Sequence, residues 1–151
     1  MKFSKIMKER IRRARVLFKE LGYNLIDGES HEDTFSAAFE NREGFQGGLF
    51  IDGDNKFLEI AFTFSFSSEL CAFIQLKLEE MLKICYEFGC YLNIQQGNSE
   101  IAFSIYSKLY YAGLNYYALK ETLRDFCECV DCLKEVVDLQ LNDQREEQLD
   151  Q

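Results

Sequence analysis

The class of fold is decided by residues 56–64, which read KFLEIAFTF. Every second side chain is apolar, and this alternation is typical of a β-strand with one covered face: Leu58, Ile60, Phe62 and Phe64. The other face carries a mixed set: Phe57, Glu59, Ala61 and Thr63. The preceding residues 52–55 read DGDN and predict a tight turn after the apolar residues 49–51. An alternating strand beside a tight turn favours an antiparallel sheet over a parallel one.

Outward from this strand, the hydrophobic period changes in a definite order. Three helices are predicted where apolar residues recur every three or four positions: residues 3–21, 70–88 and 115–138. Further strands are predicted at residues 34–41, 91–96 and 100–110, and segments rich in Gly, Asn or Asp predict a loop at 23–32 and a turn at 42–48. The sequence therefore predicts an α+β fold with a single antiparallel sheet in helix–βββ–helix–ββ–helix order, its helices packed on one face.

The length of 151 residues, nearly half of them apolar, predicts one domain with a real core. We assign residues 1–138 to this domain and residues 139–151, which are mostly Gln, Asp and Glu, to a frayed acidic tail. The formal net charge of −9 repels phosphate backbones, so a nucleic-acid partner is not expected. The sequence has no run of 18 apolar residues, so no transmembrane segment is predicted. Six cysteines without a secretory signal predict reduced thiols and a cytoplasmic protein.

The first predicted helix is basic although the chain is acidic. Residues 1–20 carry a net charge of +6, which leaves −15 for the remainder. A solvated helix face that pairs with acidic surface elsewhere is one interpretation, and an anionic docking site or a membrane surface is another. The apolar stripe of the helix, which contains Leu17, Phe18 and Leu21, favours a structural role in packing on the sheet.

No group of residues predicts a catalytic, cofactor or metal site. Cys129 and Cys132 form a CxxC pair, but a structural zinc needs four ligands, and His31 is the only histidine. The acidic neighbours Glu128 and Asp131 would raise the thiol pKa values and disfavour redox chemistry. Helical register places both cysteines beside, and not within, the apolar seam of the last predicted helix, which consists of Leu119, Leu123, Phe126, Val130, Leu133 and Val137. The DGDN turn lacks the later ligands of a calcium loop. We therefore predict that the protein is not an enzyme and that it binds no cofactor.

Five tyrosines cluster around the second hairpin and the start of the last helix: Tyr106, Tyr110, Tyr111, Tyr116 and Tyr117. Few charges lie among them, and Gly113 is close by. Two interpretations stay open. The rings either pack within the core and its rim, or they form a partner-binding surface, where aromatic side chains are enriched.

The stretch 70–137 resembles two known groups that share one fold. It contains a helix ending near Gly89, Leu92-Asn93 in the next strand, a strand from Ile101 to Tyr106, and a closing helix at 114–137. This order is similar to the type III secretion chaperones and to the YbjN-like family. The first resemblance implies small acidic cytosolic dimers that bind an extended effector segment. The second implies a role in bacterial regulation. Neither brings catalytic residues with it.

The leading functional hypothesis is a non-enzymatic protein-binding module, chaperone-like or regulatory, that holds a protein or peptide partner on a sheet face or groove. The alternative is a small-molecule sensor or small enzyme with an unrecognised site, and a protein that uses its basic helix at a membrane surface is a third possibility. Because a lone sheet has free edges, we also expect a two-fold homodimer.

Overall fold

The computed structural model describes residues 3–149, and it describes side chains for residues 3–137. It contains three helices and six strands, in the order α1 Lys5–Glu20, β1 Asn24–Asp27, β2 Thr34–Glu40, β3 Gln46–Asp52, β4 Phe57–Ser67, α2 Cys71–Glu87, β5 Tyr91–Gln96, β6 Glu100–Tyr110 and α3 Tyr116–Leu149. A single 3-10 turn precedes α2 and another precedes α3.

The six strands form one sheet in which every neighbouring pair is antiparallel. The spatial order is β1-β2-β3-β4-β6-β5, so the first four strands form a meander and β5 lies at the far edge. Strands β4 and β6 pair over all eleven of their residues, from Phe57 opposite Tyr110 to Ser67 opposite Glu100. This arrangement confirms the predicted α+β class, the antiparallel sheet and the order of the elements.

All three helices pack on the same face of the sheet. The buried strand residues occur at every second position, such as Phe35, Ala37 and Phe39 in β2 and Ile101, Phe103 and Ile105 in β6. These residues join the buried stripes of the helices in one core cluster. Burial of apolar surface at about 25 cal/mol per Å² is the main force that holds these two layers together.

Helix α1 begins where the sequence provides a cap and ends at a glycine. The Ser4 side chain accepts a hydrogen bond from the Met7 amide at 3.2 Å, and Gly22 adopts φ +89° just past the helix. The buried stripe consists of Met7, Ile11, Ala14 and Phe18. The helix is therefore part of the core.

Aromatic rings run through the core as a continuous chain of contacts. Neighbouring ring centroids lie between 4.8 and 6.1 Å apart along the series Tyr23, Phe18, Phe39, Phe45, Phe62, Phe64, Phe66 and Phe103. Most of these pairs are edge-on or tilted, which is the geometry that ring quadrupoles favour. Half of the fourteen phenylalanines of the sequence thus form one series of contacts from α1 to the middle of the sheet.

Two segments differ from the sequence-based prediction. Residues 24–27, predicted as loop, form β1, because Asn24 to Asp27 pair with Glu40 to Ala37 of β2. Residues 46–48, predicted as part of a turn, begin β3, and Gly47 pairs with Phe39. The predicted tail overlaps the last part of α3, whose backbone is helical to Leu149. Side chains of residues 138–149 and the whole of residues 150–151 lie outside the described part, so fraying there stays a prediction.

Candidate functional site

The side of the sheet turned away from the helices carries a row of aromatic and charged residues, and we call it the open face. In the described part of the chain no helix covers it. Strand register places these residues there: Ser36, Phe50, Phe57, Glu59, Tyr91, Tyr106, Lys108 and Tyr110. Phe50 is 44% exposed, Tyr91 56% and Tyr110 57%. Three large rings half exposed on one sheet face form an apolar surface of the kind that marks an interaction site.

Lys108 lies at the centre of this surface and is held by aromatic rings. Its Nζ atom is 4.6 Å from the ring centroid of Phe57 and 5.1 Å from that of Tyr91. The Phe57 ring contacts Tyr110 edge-on at 5.7 Å. A cation over two ring faces is attracted to their quadrupoles, so Lys108 holds the aromatic side chains together at this point.

Glu59 lies directly opposite Lys108 in the strand register and is only partly exposed. Burial raises the pKa of Glu59, while the nearby charge of Lys108 opposes the rise. Within residues 3–137 the Glu59 carboxyl has neither an ion pair within 4.0 Å nor a hydrogen bond. It is therefore a partly desolvated acid on the open face.

A groove of about 410 Å³ lies beside Glu59 on the open face. Phe50, Phe57 and Glu59 line it from the sheet, and Glu29 and His31 belong to the loop that forms one wall. This loop is fixed to the sheet because the Ser36 hydroxyl donates a 2.7 Å hydrogen bond to the Glu29 carbonyl. The groove thus combines aromatic rings with the carboxyl groups of Glu29, Glu59 and a further acid, Asp52.

The structure separates the five tyrosines that the sequence grouped together. Tyr106 and Tyr110 lie on the open face. Tyr111 lies on the helix side, where the Arg10 guanidinium stands 4.2 Å from its ring centroid. Tyr116 and Tyr117 contact each other edge-on at 5.3 Å at the start of α3. Two of the five therefore belong to the candidate surface, and three lie in the helical layer.

The residues that sequence reasoning missed on this surface are Phe50, Phe57 and Tyr91. Phe57 was placed on the second face of its strand, but nothing in the local pattern indicated that other rings would join it. The missing information was strand order, because β6 lies between β4 and β5 and so brings Tyr91 beside Tyr106. Alternation along β3 and β5, combined with that order, would have found all three.

The cysteines lie in the helical layer, away from the open face. The Cys129 and Cys85 sulfurs are 4.0 Å apart across α2 and α3, and both residues are buried. Contact with Cys129 and burial raise the pKa of Cys85. The bond to Cys85 lowers the pKa of Cys129, but contact with Cys90 and burial outweigh it and raise this pKa to about 12. The prediction that Cys129 lies beside the apolar seam is wrong, since it is fully buried within it.

The described residues also bear on metal binding and on how acidic neighbours affect the thiol pKa values. Among the described residues, no group of three or more His, Cys, Asp or Glu side chains has the arrangement of a metal site. Burial, Glu135, Asp131 and Glu128 raise the pKa of Cys132, which agrees with the predicted effect of its acidic neighbours. The raised pKa values of Cys85, Cys129 and Cys132 keep these thiols protonated near neutral pH, which makes them poor nucleophiles.

The basic residues of α1 are bound within the domain to a large extent. Arg10 donates to the carbonyls of Gly53 at 3.2 Å and Asn55 at 3.0 Å. Arg13 donates to the Leu114 carbonyl, and Arg15 forms an ion pair with Asp27 at 2.9 Å. These contacts tie α1 to two loops and to β1, which supports the structural interpretation of the basic helix.

No protein-family model matches this chain, and no curated protein matches it. Its structure is similar to the crystal structure of an uncharacterized protein from Methanothermobacter thermautotrophicus, with a TM-score of 0.53 and 17% sequence identity over 85% of this chain and 97% of that chain. At this identity the likeness shows the fold alone. The chain is therefore an α+β protein of that fold, and the predicted resemblance to secretion chaperones and YbjN-like proteins stays a prediction. No described helix is both long enough and apolar enough to cross a membrane.

Proposed function

We propose that this chain is a non-enzymatic protein-binding module, chaperone-like or regulatory, that holds an extended segment of a protein partner on the open face. The observation that carries the proposal is the row of half-exposed rings at Phe50, Tyr91 and Tyr110. Aromatic side chains provide much contact area with few rotatable bonds, and they are enriched at protein interfaces. The resemblance to secretion chaperones agrees with this role, because those proteins bind an extended effector segment.

The chemistry of the surface indicates what kind of segment fits. The rings favour apolar side chains of the partner. The groove beside them carries the carboxyl groups of Glu29, Asp52 and Glu59 against the rings of Phe50 and Phe57. Acids next to aromatic faces attract a cation, so a basic side chain placed in the groove would complement this end of the surface.

The proposal is tested by capture of partners from the native cell with matched tyrosine variants. Tyr106→Ser and Tyr110→Ser together remove two rings of the open face and should abolish recovery of the partner. Tyr117→Ser is the control, because Tyr117 is 76% exposed but lies at the start of α3. Circular dichroism and thermal unfolding confirm that each variant is folded. Hydrogen exchange of the recovered complex should show protection on β4 and β6.

Three outcomes would contradict the proposal. The first is unchanged recovery with the double variant, and the second is equal loss with Tyr117→Ser. The third is a captured protein that protects only the amides of helical segments from hydrogen exchange. Any of these would mean that the open face is not the binding surface.

A second candidate function, small-molecule binding, is favoured by the groove itself. Its volume of about 410 Å³ is within the range of small-ligand sites, and its lining combines rings with a few polar groups. Native mass spectrometry of the protein from its own cell separates the two functions. A bound small molecule that is lost on Phe50→Ser would support the sensor, whereas a bound polypeptide would support the protein-binding module.

A further inference from the structure

The two edges of the sheet differ in how well they are protected against pairing with another strand. Strand β1 has four residues, and its last residue, Asp27, is ion-paired with Arg15. Strand β5 has six residues, of which all but Leu92 are exposed, and it contains no charged residue and no proline. Short length and charge are the usual means of blocking an edge. Strand β5 has neither.

The absence of charge extends beyond the strand itself. Residues 88–99 form a run of twelve uncharged residues in a chain of which 28% are charged. A protein with a net charge of −9 repels a second copy over most of its surface. Strand β5 itself presents no charge that would repel the same strand of a second copy, so two copies can approach closely along this edge.

We propose that β5 pairs antiparallel with β5 of a second copy across a two-fold axis at Asn93, which joins two six-stranded sheets into one of twelve strands. This inference goes beyond the proposed function, because it uses the edge of the sheet and leaves the open face available to a partner.

The register follows from which face each residue occupies. Leu92 pairs with buried Ile105 and so faces the helices, whereas Asn93 pairs with Ser104 and lies on the open face. Residues that pair across two strands lie on the same face of a sheet, so the axis must pass beside one residue of β5 and not between two.

Two positions of the axis satisfy this condition near the middle of the strand. An axis at Asn93 pairs Leu92 of each copy with Ile94 of the other, which places apolar side chains together on the helix side. An axis at Ile94 would pair Ile94 with its equivalent, but it would pair Leu92 of both copies with Gln96, an apolar residue with a polar one. Cross-strand apolar pairs stabilise a sheet, so the axis at Asn93 is favoured.

Helix α2 supplies a second contribution to the proposed dimer interface, on the helix side of the sheet. It packs against β5 and leaves Leu76 81%, Leu82 48% and Tyr86 85% exposed. Because α2 packs against the edge strand, the two-fold axis places α2 of both copies on the same side of the joined sheet and next to each other. Those exposed apolar side chains of α2 that face the partner helix would be buried in the dimer, and this burial would stabilise the pair.

The test uses charge to break the edge and cysteine to report the register. In light scattering at micromolar concentration, the native protein should have the mass of a dimer. Asn93→Lys places two like charges opposite each other at the axis and should weaken dimerisation more than about tenfold. Asn98→Lys is the control, since it adds the same charge in the β5–β6 turn and should leave the dimer intact.

Cysteine variants test the axis even if the lysine variant is unstable. Under mild oxidation Asn93→Cys should form a disulfide with its equivalent, because directly opposite residues have Cβ atoms about 4.5–5.5 Å apart, and a small shift brings them to the roughly 3.5–4.5 Å of a disulfide. Two cysteines at Gln95 would lie about 14 Å apart along the strands. Mass spectrometry identifies the linked peptides, which separates this bond from any between native cysteines.

The outcomes show whether a second copy of this chain or a strand of another protein pairs with β5. A 93–93 link at least about tenfold more abundant than a 95–95 link supports the register. A monomeric native protein, or a dimer unaffected by Asn93→Lys, would overturn the inference. So would a native monomer whose β5 amides are protected by a strand of another protein. Because the open-face tyrosine variants leave β5 unchanged, loss of the dimer and loss of the partner are distinguishable.

Discussion

Replacing Tyr111 by phenylalanine should stabilise the protein. The Tyr111 hydroxyl is buried and has no hydrogen-bond partner in the described part of the chain. An unpaired buried polar group costs about 1–3 kcal/mol, and Tyr111→Phe removes that group while it keeps the ring under Arg10. We therefore expect the free energy of unfolding to rise by about 1 kcal/mol and the melting temperature by about 2–4 °C for a chain of this size.

The same substitution has a signature in alkaline solution. Burial raises the pKa of Tyr111 from its ordinary value of 10.0 to about 12, and the charge of Arg10 opposes the rise. A raised pKa means that the unfolded state loses its proton first, so native stability falls as the pH rises from about 10 to about 12. The phenylalanine variant lacks this contribution, and its advantage over the native protein should grow across that range.

Urea unfolding followed by circular dichroism, at neutral pH and at several pH values above 9, measures both effects. Tyr110→Phe is the matched control, because its side chain is 57% exposed and its loss of a hydroxyl should change stability by less than about 0.5 kcal/mol. If Tyr111→Phe destabilises the protein by about 1 kcal/mol, the hydroxyl has a partner and the reasoning is refuted.

Three further predictions concern packing and the thiols. Gly47→Ala should destabilise the fold by about 1–3 kcal/mol because its new methyl group meets a buried ring, whereas Gly113→Ala, with open space around it, should be neutral in urea unfolding. Phe18→Ala should cost about 3–5 kcal/mol in the same assay, and a smaller loss would mean that α1 is not part of the core. Cys85 and Cys129 should resist a thiol reagent at neutral pH until urea unfolds the chain, so fast labelling of either would contradict their burial.

Sequence reasoning located the long periodic elements and missed those that depend on tertiary pairing. Residues 24–27 read as loop because Asn24 and Asp27 are turn formers, and only pairing with β2 makes them a strand. Gly47 reads as a turn residue, yet it lies in β3 because the Phe39 ring occupies the space of a side chain there. In both cases the deciding contact comes from another strand, which local periodicity cannot show.

Only part of the candidate site was predicted, and the rest was missed for a similar reason. Tyr110 and Tyr111 are neighbours in sequence, but β6 ends between them, so one ring lies on the open face and the other under Arg10. Cys129 was placed beside the apolar seam because the seam was drawn from α3 alone. Its burial comes from α2, where Cys85 contacts it. Composition and period indicate which residues are apolar, while the identity of their neighbours follows from the order of the strands.

The eleven-residue ladder between β4 and β6 has a consequence for how the chain folds. Its paired residues are between 33 and 53 positions apart, so its closure is slow compared with that of the local meander β1 to β4. As the chain leaves the ribosome, β4 is complete before β6 has been made. For that time it exposes an unpaired edge, and on the face that the helices later cover it exposes the rings of Phe62, Phe64 and Phe66. A nascent chain stalled between residues 70 and 100 is therefore the species most prone to aggregate, and the one most dependent on a folding helper.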